Sequence, residues 1–306
     1  MAIKLPKIFL DSGNPEETKQ AKALLGFLDG QTTNPSLVVK NPEVQKSIKK
    51  GKKLKVNELL SLYKEIITQI DKDIAGPLSV EVYANWDTKA STMLKQAEEM
   101  FSWGRNIHVK FPTIPEGLKA SAEFVKSTGP ANMTLVFNQQ QAGAIYSATL
   151  ETKKPCFVSP FVGRWDDRGM NGIDLVKNII KMYKKFDKQT HTKNHVLVLS
   201  ASIRSLEHFY ASIVNGADMI TVPLKIIQAW VDAECWMPDE KYHYPQGSLK
   251  ALLYNDLPYH KDYTQYNVVQ KEGDLLDEGL NKFANDWDSL IEVNAKPNKS
   301  PKTKPE

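Results

Sequence analysis

Cysteine is scarce in this sequence, with only Cys156 and Cys235 among 306 residues. So few thiols exclude a disulfide framework and suit a reducing compartment. Neither belongs to a CxxC pair or stands near a histidine cluster, so both are expected as buried small hydrophobes. The six histidines have no metal-ligand spacing and no metal site is expected. His191 and His195 lie in a polar run and are expected at the surface. No P-loop, GxGxxG or HExxH occurs. No apolar run reaches ~18 residues, and the opening MAIKLPKIFLD has no apolar core of a signal peptide. The expectation is a cytoplasmic protein with no membrane partner. A strong charge of one sign is also missing: 40 Lys+Arg against 36 Asp+Glu leave a formal +4. That is too weak and scattered to imply nucleic acid. The one basic cluster, Lys49, Lys50, Lys52, Lys53 and Lys55, has no interleaved aromatics and reads as a solvated helix end.

What is present is alternation. Short apolar runs rich in Val, Ile, Leu and Phe fall at Lys7–Asp11, Asp29–Asn34, Leu78–Tyr83, Ile107–Phe111, Ala131–Phe137, Cys156–Val162, His195–Ser200 and Met219–Val222. Near-continuous apolar strands are what a parallel sheet covered on both faces requires. Amphipathic helices lie between them. The clearest is Asn57–Ile70, with Leu59, Tyr63, Ile66, Ile67 and Ile70 at helical spacing behind an Asn cap. Others begin near Pro15, Trp86, Pro115, Asn138, Gly172, Ser205 and Leu224, and Gly216 reads as a helix C-cap. Eight such units close as a (β/α)8 barrel or open as a doubly wound sheet, and periodicity does not choose. A barrel needs ~250 residues, which places the core at 1–230 and an extension packing on it at 231–294. Residues 236–266 hold one Trp and six Tyr with three prolines, expected as a loop-rich cover near the barrel mouth. A final helix is expected over Leu275–Ile291. The Lys/Pro/Asn/Ser-rich stretch 295–306 is expected to be disordered.

In a barrel, chemistry sits at the C-terminal ends of the strands. Here nearly every strand ends in polar groups: Asp11, Thr32-Thr33-Asn34, Glu81, Lys110, Asn132-Met133-Thr134, Ser159 and Arg164, and Ser200 through Arg204. Lys110 is the sharpest of these. Between Val109 and Phe111 in a buried strand its ammonium is desolvated, which should lower its pKa, and a neutral amine attacks a carbonyl. The plain alternative is an ammonium paired with Asp11 or Glu81. Those two carboxylates could share the proton transfers of an aldol cleavage. Asp11 could instead cap the helix near Pro15, and Glu81 could be a simple counterion. Arg164 and Arg204 end adjacent late strands, where barrels often bind phosphate. Asp166 and Asp167 could neutralise Arg164. The segment RWDDRGMNG at 164–172 is expected as a mobile loop.

The segments FLDS (9–12), DGQTTNPSL (29–37), VEV (80–82), HVKFP (108–112), NMTLVF (132–137), VSPFVGR (158–164), SASIR (200–204) and GADMITVP (216–223) occur in that order. Together they resemble the transaldolase family, which includes the fructose-6-phosphate aldolases. DEGLNKFANDW (277–287) is similar to the family's C-terminal helix. The resemblance implies a (β/α)8 TIM barrel with a C-terminal helical and loop extension. It implies Lys110 as Schiff-base lysine, Asp11 as acid/base, and Glu81 with Thr134 holding a water. Asn34, Asn132 and Ser159 would bind the dihydroxyacetone unit, and Arg164, Ser202 and Arg204 the phosphate. Phe161 stands where the aldolases typically have Tyr, and Glu81 where they have Gln, which favours transfer to an aldose phosphate over release of dihydroxyacetone. The pathway implied is that of pentose phosphates, with no metal or organic cofactor. A same-fold aldolase and a silent barrel binding sugar phosphates are the competing readings. Oligomeric state stays open, a homo-oligomer included. Ser12, Gln31, Phe111 and Ser205 depart from the family's usual residues and leave substrate range open.

Overall fold

The computed structural model describes residues 3–49, 53–193, 195–269 and 274–291. The expected tail at 295–306, and Lys50 and Lys52 of the basic cluster, lie outside the described residues. Eight parallel strands close into a barrel: β1 Lys7–Asp11, β2 Gly30–Thr32, β3 Leu78–Glu81, β4 Ile107–Pro112, β5 Ala131–Val136, β6 Cys156–Pro160, β7 Val196–Ser200 and β8 Met219–Val222. Each pairs with the next, and β8 pairs back with β1, Ile8 opposite Ile220. Closure removes every sheet edge and excludes the doubly wound alternative. Several strands are shorter than the apolar runs. Regular pairing of β2 ends at Thr32 and of β3 at Glu81.

Alternation divides each strand between two environments. Ile8, Leu10, Val80, Val109, Met133, Val158, Val198 and Ile220 point outward into the core shared with the helices. Phe9, Phe157, Leu199 and Met219 point inward and form a separate apolar plug. His108 stacks on Phe157 at 4.0 Å, and burial lowers its imidazole to about 4, so it serves the plug as a neutral ring. Above this plug the inward row turns polar, with Asp11, Thr32, Lys110, Thr134, Ser159 and Thr221 all facing one cavity.

Helix starts follow local capping chemistry, which corrects several expectations. The helix Pro15–Leu25 is capped by Asn14, whose Oδ1 accepts from the N–H of Glu16 at 3.1 Å, so Asp11 is no cap. The long helix runs Val56–Asp73 and has no Asn cap. Glu58 reaches back to accept the Lys55 N–H at 2.9 Å. The helix expected at Trp86 begins at Ala90. Trp86 stands in the turn before it and donates its indole N–H to Asp277 at 2.7 Å. Short helices Pro35–Val39, Pro42–Lys49 and Val162–Asp166 are additional, too short to carry a clear apolar repeat in sequence. The last of them replaces the start of the expected mobile loop. The rest becomes a strand, Met170–Asn171, paired with Lys250–Ala251, and Asp166 Oδ1 accepts from the N–H of Gly172 at 3.0 Å. Cys156 is buried, but Cys235 is exposed. His195 is half-buried against the Tyr146 ring at 4.3 Å, because its strand runs inward from that point.

The tyrosine-rich segment does not cover the mouth. It runs along the outer faces of the helices Gln139–Ala148 and Ile173–Thr190. Asn255 and Leu252 carbonyls accept from Gln139 and Asn178 there, each at 2.8 Å. The mouth is roofed instead by the helix Leu275–Asp288, which packs on Pro35–Val39 and is fastened by Ser36 to Asp286 and by Tyr83 to Asp288. Among the described residues, no helix is long and apolar enough to cross a membrane. The outer strap is keyed at Gly143, where a Cβ would sit 2.4 Å from the Tyr266 ring. Gly143→Ala should therefore cost about 1–3 kcal/mol through overpacking, read as a lower urea midpoint with unchanged slope.

Candidate active site

Register brings the reactive side chains together. Glu81 on β3 pairs directly with Lys110 on β4, and Lys110 pairs with Asn132 on β5. Three inward-pointing groups are thus consecutive neighbours around the wall. Next along the wall, β2 pairs with β3, and Asp11 on β1 pairs with Thr32 on β2. Asp11, Thr32 and Lys110 line one cavity of about 300 Å3.

Lys110 is 4% exposed. Its Nζ donates to the Thr33 carbonyl at 2.8 Å and lies 2.8 Å from Glu81 Oε2. The second contact is a buried ion pair. Burial pushes the Glu81 carboxyl above its ordinary range; Lys110 opposes this and Asp11 adds to it. Asp11 accepts from Thr32 Oγ1 at 2.7 Å. That hydroxyl has one proton to give, so the 2.6 Å contact with Thr221 Oγ1 must be donated by Thr221. Burial raises the Asp11 carboxyl as well, against the pull of Lys110, Thr32 and Lys40.

Ser159 donates to Asn132 Oδ1 at 2.7 Å, and Asn132 Nδ2 donates to Ser79 at 3.0 Å. Asn132 and Glu81 flank Lys110 on the neighbouring strands, and Asn34, Thr134, Ser159 and Phe161 line the cavity with it. Asn34 also caps Pro35–Val39, accepting from the Leu37 N–H at 3.0 Å. Thr134 Oγ1 is buried without a partner. Just beyond it the β5–β6 register shifts, and Leu135 adopts φ +60°. This bulge breaks the alternation, so Thr134 and Leu135 both face the cavity.

Arg164, Ser202 and Arg204 line the same cavity on the β6–β7 side. Ser202 holds φ +58° and its carbonyl accepts from the N–H of Gly163 at 3.0 Å. A Cβ at Gly163 would lie 2.5 Å from Arg204 Nε, so glycine there lets that guanidinium reach the cavity. The acidic partners differ from expectation. Asp167 grips Arg204 with both oxygens, one at 2.7 Å, and that pairing holds its carboxyl below the usual range. Asp166 serves His208 and Tyr244, at 2.7 and 2.9 Å. Arg164 is paired by Glu278 of the roof helix, at 3.1 Å.

Sequence reasoning missed the roof. Lys40, Ser36, Gly279, Lys282 and Phe283 also line the cavity. It also passed over Tyr63, taken as an apolar helix residue. Its hydroxyl accepts from the Glu81 N–H at 3.1 Å and sits 2.8 Å from Thr33 Oγ1. Thr33 Oγ1 already donates to Ser79 O at 2.9 Å, so Tyr63 donates to it. A buried tyrosine needs such a partner, and that requirement was the available signal. Of the four departures from the family's usual residues, none lines the cavity. Gln31 ties Thr18 to the Ser12 carbonyl, Ser12 bonds Glu17, Phe111 packs on Phe124, and Ser205 caps a helix.

Fold and site together define a (β/α)8 barrel with a lysine-centred polar cavity at the C-terminal ends of its strands. Residues 8–293 match the model of the Transaldolase/Fructose-6-phosphate aldolase family. A "Probable transaldolase" from Alkaliphilus metalliredigens is 31% identical over 93% of this chain and 99% of its own length. Others from Leptospira biflexa and Dehalococcoides mccartyi are 36% and 37% identical, each over 72% of this chain and 88% of theirs. The chain belongs to the transaldolase/fructose-6-phosphate aldolase family.

Two predictions follow from the electrostatics. A carboxyl whose folded pKa is raised binds more protons in the folded chain, so stability falls as pH rises from the ordinary 3.8 through the raised value. Asp11→Asn should abolish that contribution and make the protein more stable than wild type at pH 7, and Glu81→Gln, which replaces a carboxyl that burial raises likewise, should shift stability in the same direction. Urea titrations across pH 4–8 compare the three. Tyr63→Phe should cost about 1–3 kcal/mol by stranding the Glu81 N–H, measured the same way.

Proposed function

We propose that this protein is a transaldolase, moving a dihydroxyacetone unit from a ketose phosphate to an aldose phosphate through a Schiff base on Lys110. The observation that carries the reading is the buried amine of Lys110, in contact with Glu81 and sharing the barrel interior with Asp11, two carboxyls that burial raises above their ordinary range. The donor would be fructose 6-phosphate or sedoheptulose 7-phosphate, with its phosphate at Arg164, Ser202 and Arg204. These lie at the far side of a cavity large enough for a sugar phosphate.

In the proposed sequence, Lys110 Nζ passes its proton to Glu81 and attacks the C2 carbonyl. The carbinolamine then loses water, with protons carried by Glu81 through a water held at Thr134 Oγ1. The buried Thr134 Oγ1, which has no partner, supports that role. Asp11 takes the C4 hydroxyl proton, the C3–C4 bond breaks, and its electron pair moves into the iminium as an enamine. The aldose phosphate leaves. An acceptor, glyceraldehyde 3-phosphate or erythrose 4-phosphate, condenses in reverse with Asp11 returning the proton, and hydrolysis frees Lys110. Asn34, Asn132 and Ser159 would hold the C1 and C3 hydroxyls. Phe161 packs edge-on to Phe137 at 5.6 Å and offers no hydroxyl to protonate the enamine, which favours transfer over release.

Borohydride added with fructose 6-phosphate should fix a dihydroxyacetone adduct on Lys110, located by peptide mass spectrometry, and Lys110→Ala should give none. Turnover should require erythrose 4-phosphate or another acceptor. Unmodified Lys110 in a folded sample overturns the mechanism, and acceptor-free turnover would make the enzyme the aldolase.

A further inference from the structure

The guanidinium expected to hold phosphate already has an anion. Arg164 Nη2 lies 3.1 Å from Glu278 Oε2, and the other oxygen of that carboxylate is held by Arg168. Both oxygens of Glu278 are thus gripped by arginine, much as two oxygens of a phosphate would be. Glu278 sits in the first turn of the roof helix. Its neighbour Gly279 lies over the cavity, so close to Leu135 that a Cβ would come within 2.8 Å of the leucine side chain. Lys282 and Phe283, one turn later, line the cavity too. The carboxylate therefore stands at the cavity edge, on the residue that a sugar phosphate needs. Two anions on one guanidinium repel, and each weakens the hold on the other. Arg204 differs: its carboxylate, Asp167, follows the short helix carrying Arg164 on the barrel side, and not the roof.

We infer that Glu278 is a specificity-determining positioning residue, an internal competitor that occupies Arg164 in the empty enzyme and loosens binding at the phosphate end of the substrate. It acts through Arg164 and touches no reacting atom. This rests on the transaldolase reading for the identity of the substrate, but its charge argument concerns any phosphate monoester or inorganic phosphate. The pair is partly exposed, 25% for Arg164 and 39% for Glu278, so the effect is that of a half-solvated ion pair.

The test is Glu278→Gln, which keeps shape and removes charge, with Glu278→Ala as a second variant; the exposure of the site allows both to fold. Inorganic phosphate, titrated by calorimetry, should bind on the order of two- to fivefold more tightly to both variants than to wild type. The KM for fructose 6-phosphate should fall by a similar factor with kcat unchanged. Borohydride trapping of dihydroxyacetone, which carries no phosphate, should not change. Phosphate affinity that stays the same or weakens overturns the inference, as does a wild type that binds no phosphate. A variant that alters dihydroxyacetone trapping as much as phosphate binding overturns it in favour of a structural role. If wild type forms no dihydroxyacetone adduct while calorimetry still shows the tighter binding, the Schiff-base reading fails and this inference stands.

Discussion

The site depends on one in-register pairing, Glu81 opposite Lys110 on adjacent strands of a closed barrel. A cross-strand pair on the same face brings side chains together without any loop to position them. Because the barrel closes, that register cannot slip without turning every inward residue outward. The charge pair is costly to bury, and the structure offsets the cost locally: the Thr33 carbonyl accepts a hydrogen bond from Lys110, and the apolar plug of Phe9, Phe157, Leu199 and Met219 seals the floor below. The roof helix seals the opposite end. An amine enclosed in this way is shielded from bulk water.

How much of this was legible depended on the range of the interactions. Strand positions came through, since eight apolar runs each carried a polar residue at the inward register. Lys110, Asp11 and Glu81 stood out because charged groups inside such runs need a reason. The (β/α)8 closure itself is a long-range property, with β1 meeting β8 across more than two hundred residues, and periodicity alone left it open. The ordered motifs, and not the hydrophobic pattern, carried that expectation.

What stayed hidden was chosen by tertiary contacts. Nothing local tells that Glu278, rather than the adjacent Asp166 or Asp167, meets Arg164, because sequence nearness is a poor guide to charge pairing once a short helix turns the chain. Nor does aromatic composition tell a lid from a strap. Tyr259 packs its ring on Tyr146 and Phe186 of outer helices, and Tyr266 is buried against Gly143, which is the same chemistry in a different place. Asn14 rather than Asp11 caps the first helix, a one-turn difference that leaves the carboxylate free for the cavity.

Tyr63 joins parts of the molecule that the topology keeps separate. Its ring meets Trp287 of the roof helix at 5.7 Å, and its hydroxyl ties Thr33 to the Glu81 backbone. Ceiling and wall of the chamber therefore share one aromatic hinge pin. A displacement of the roof helix would therefore be felt at the wall beside the amine through that ring, with no barrel strand needing to part.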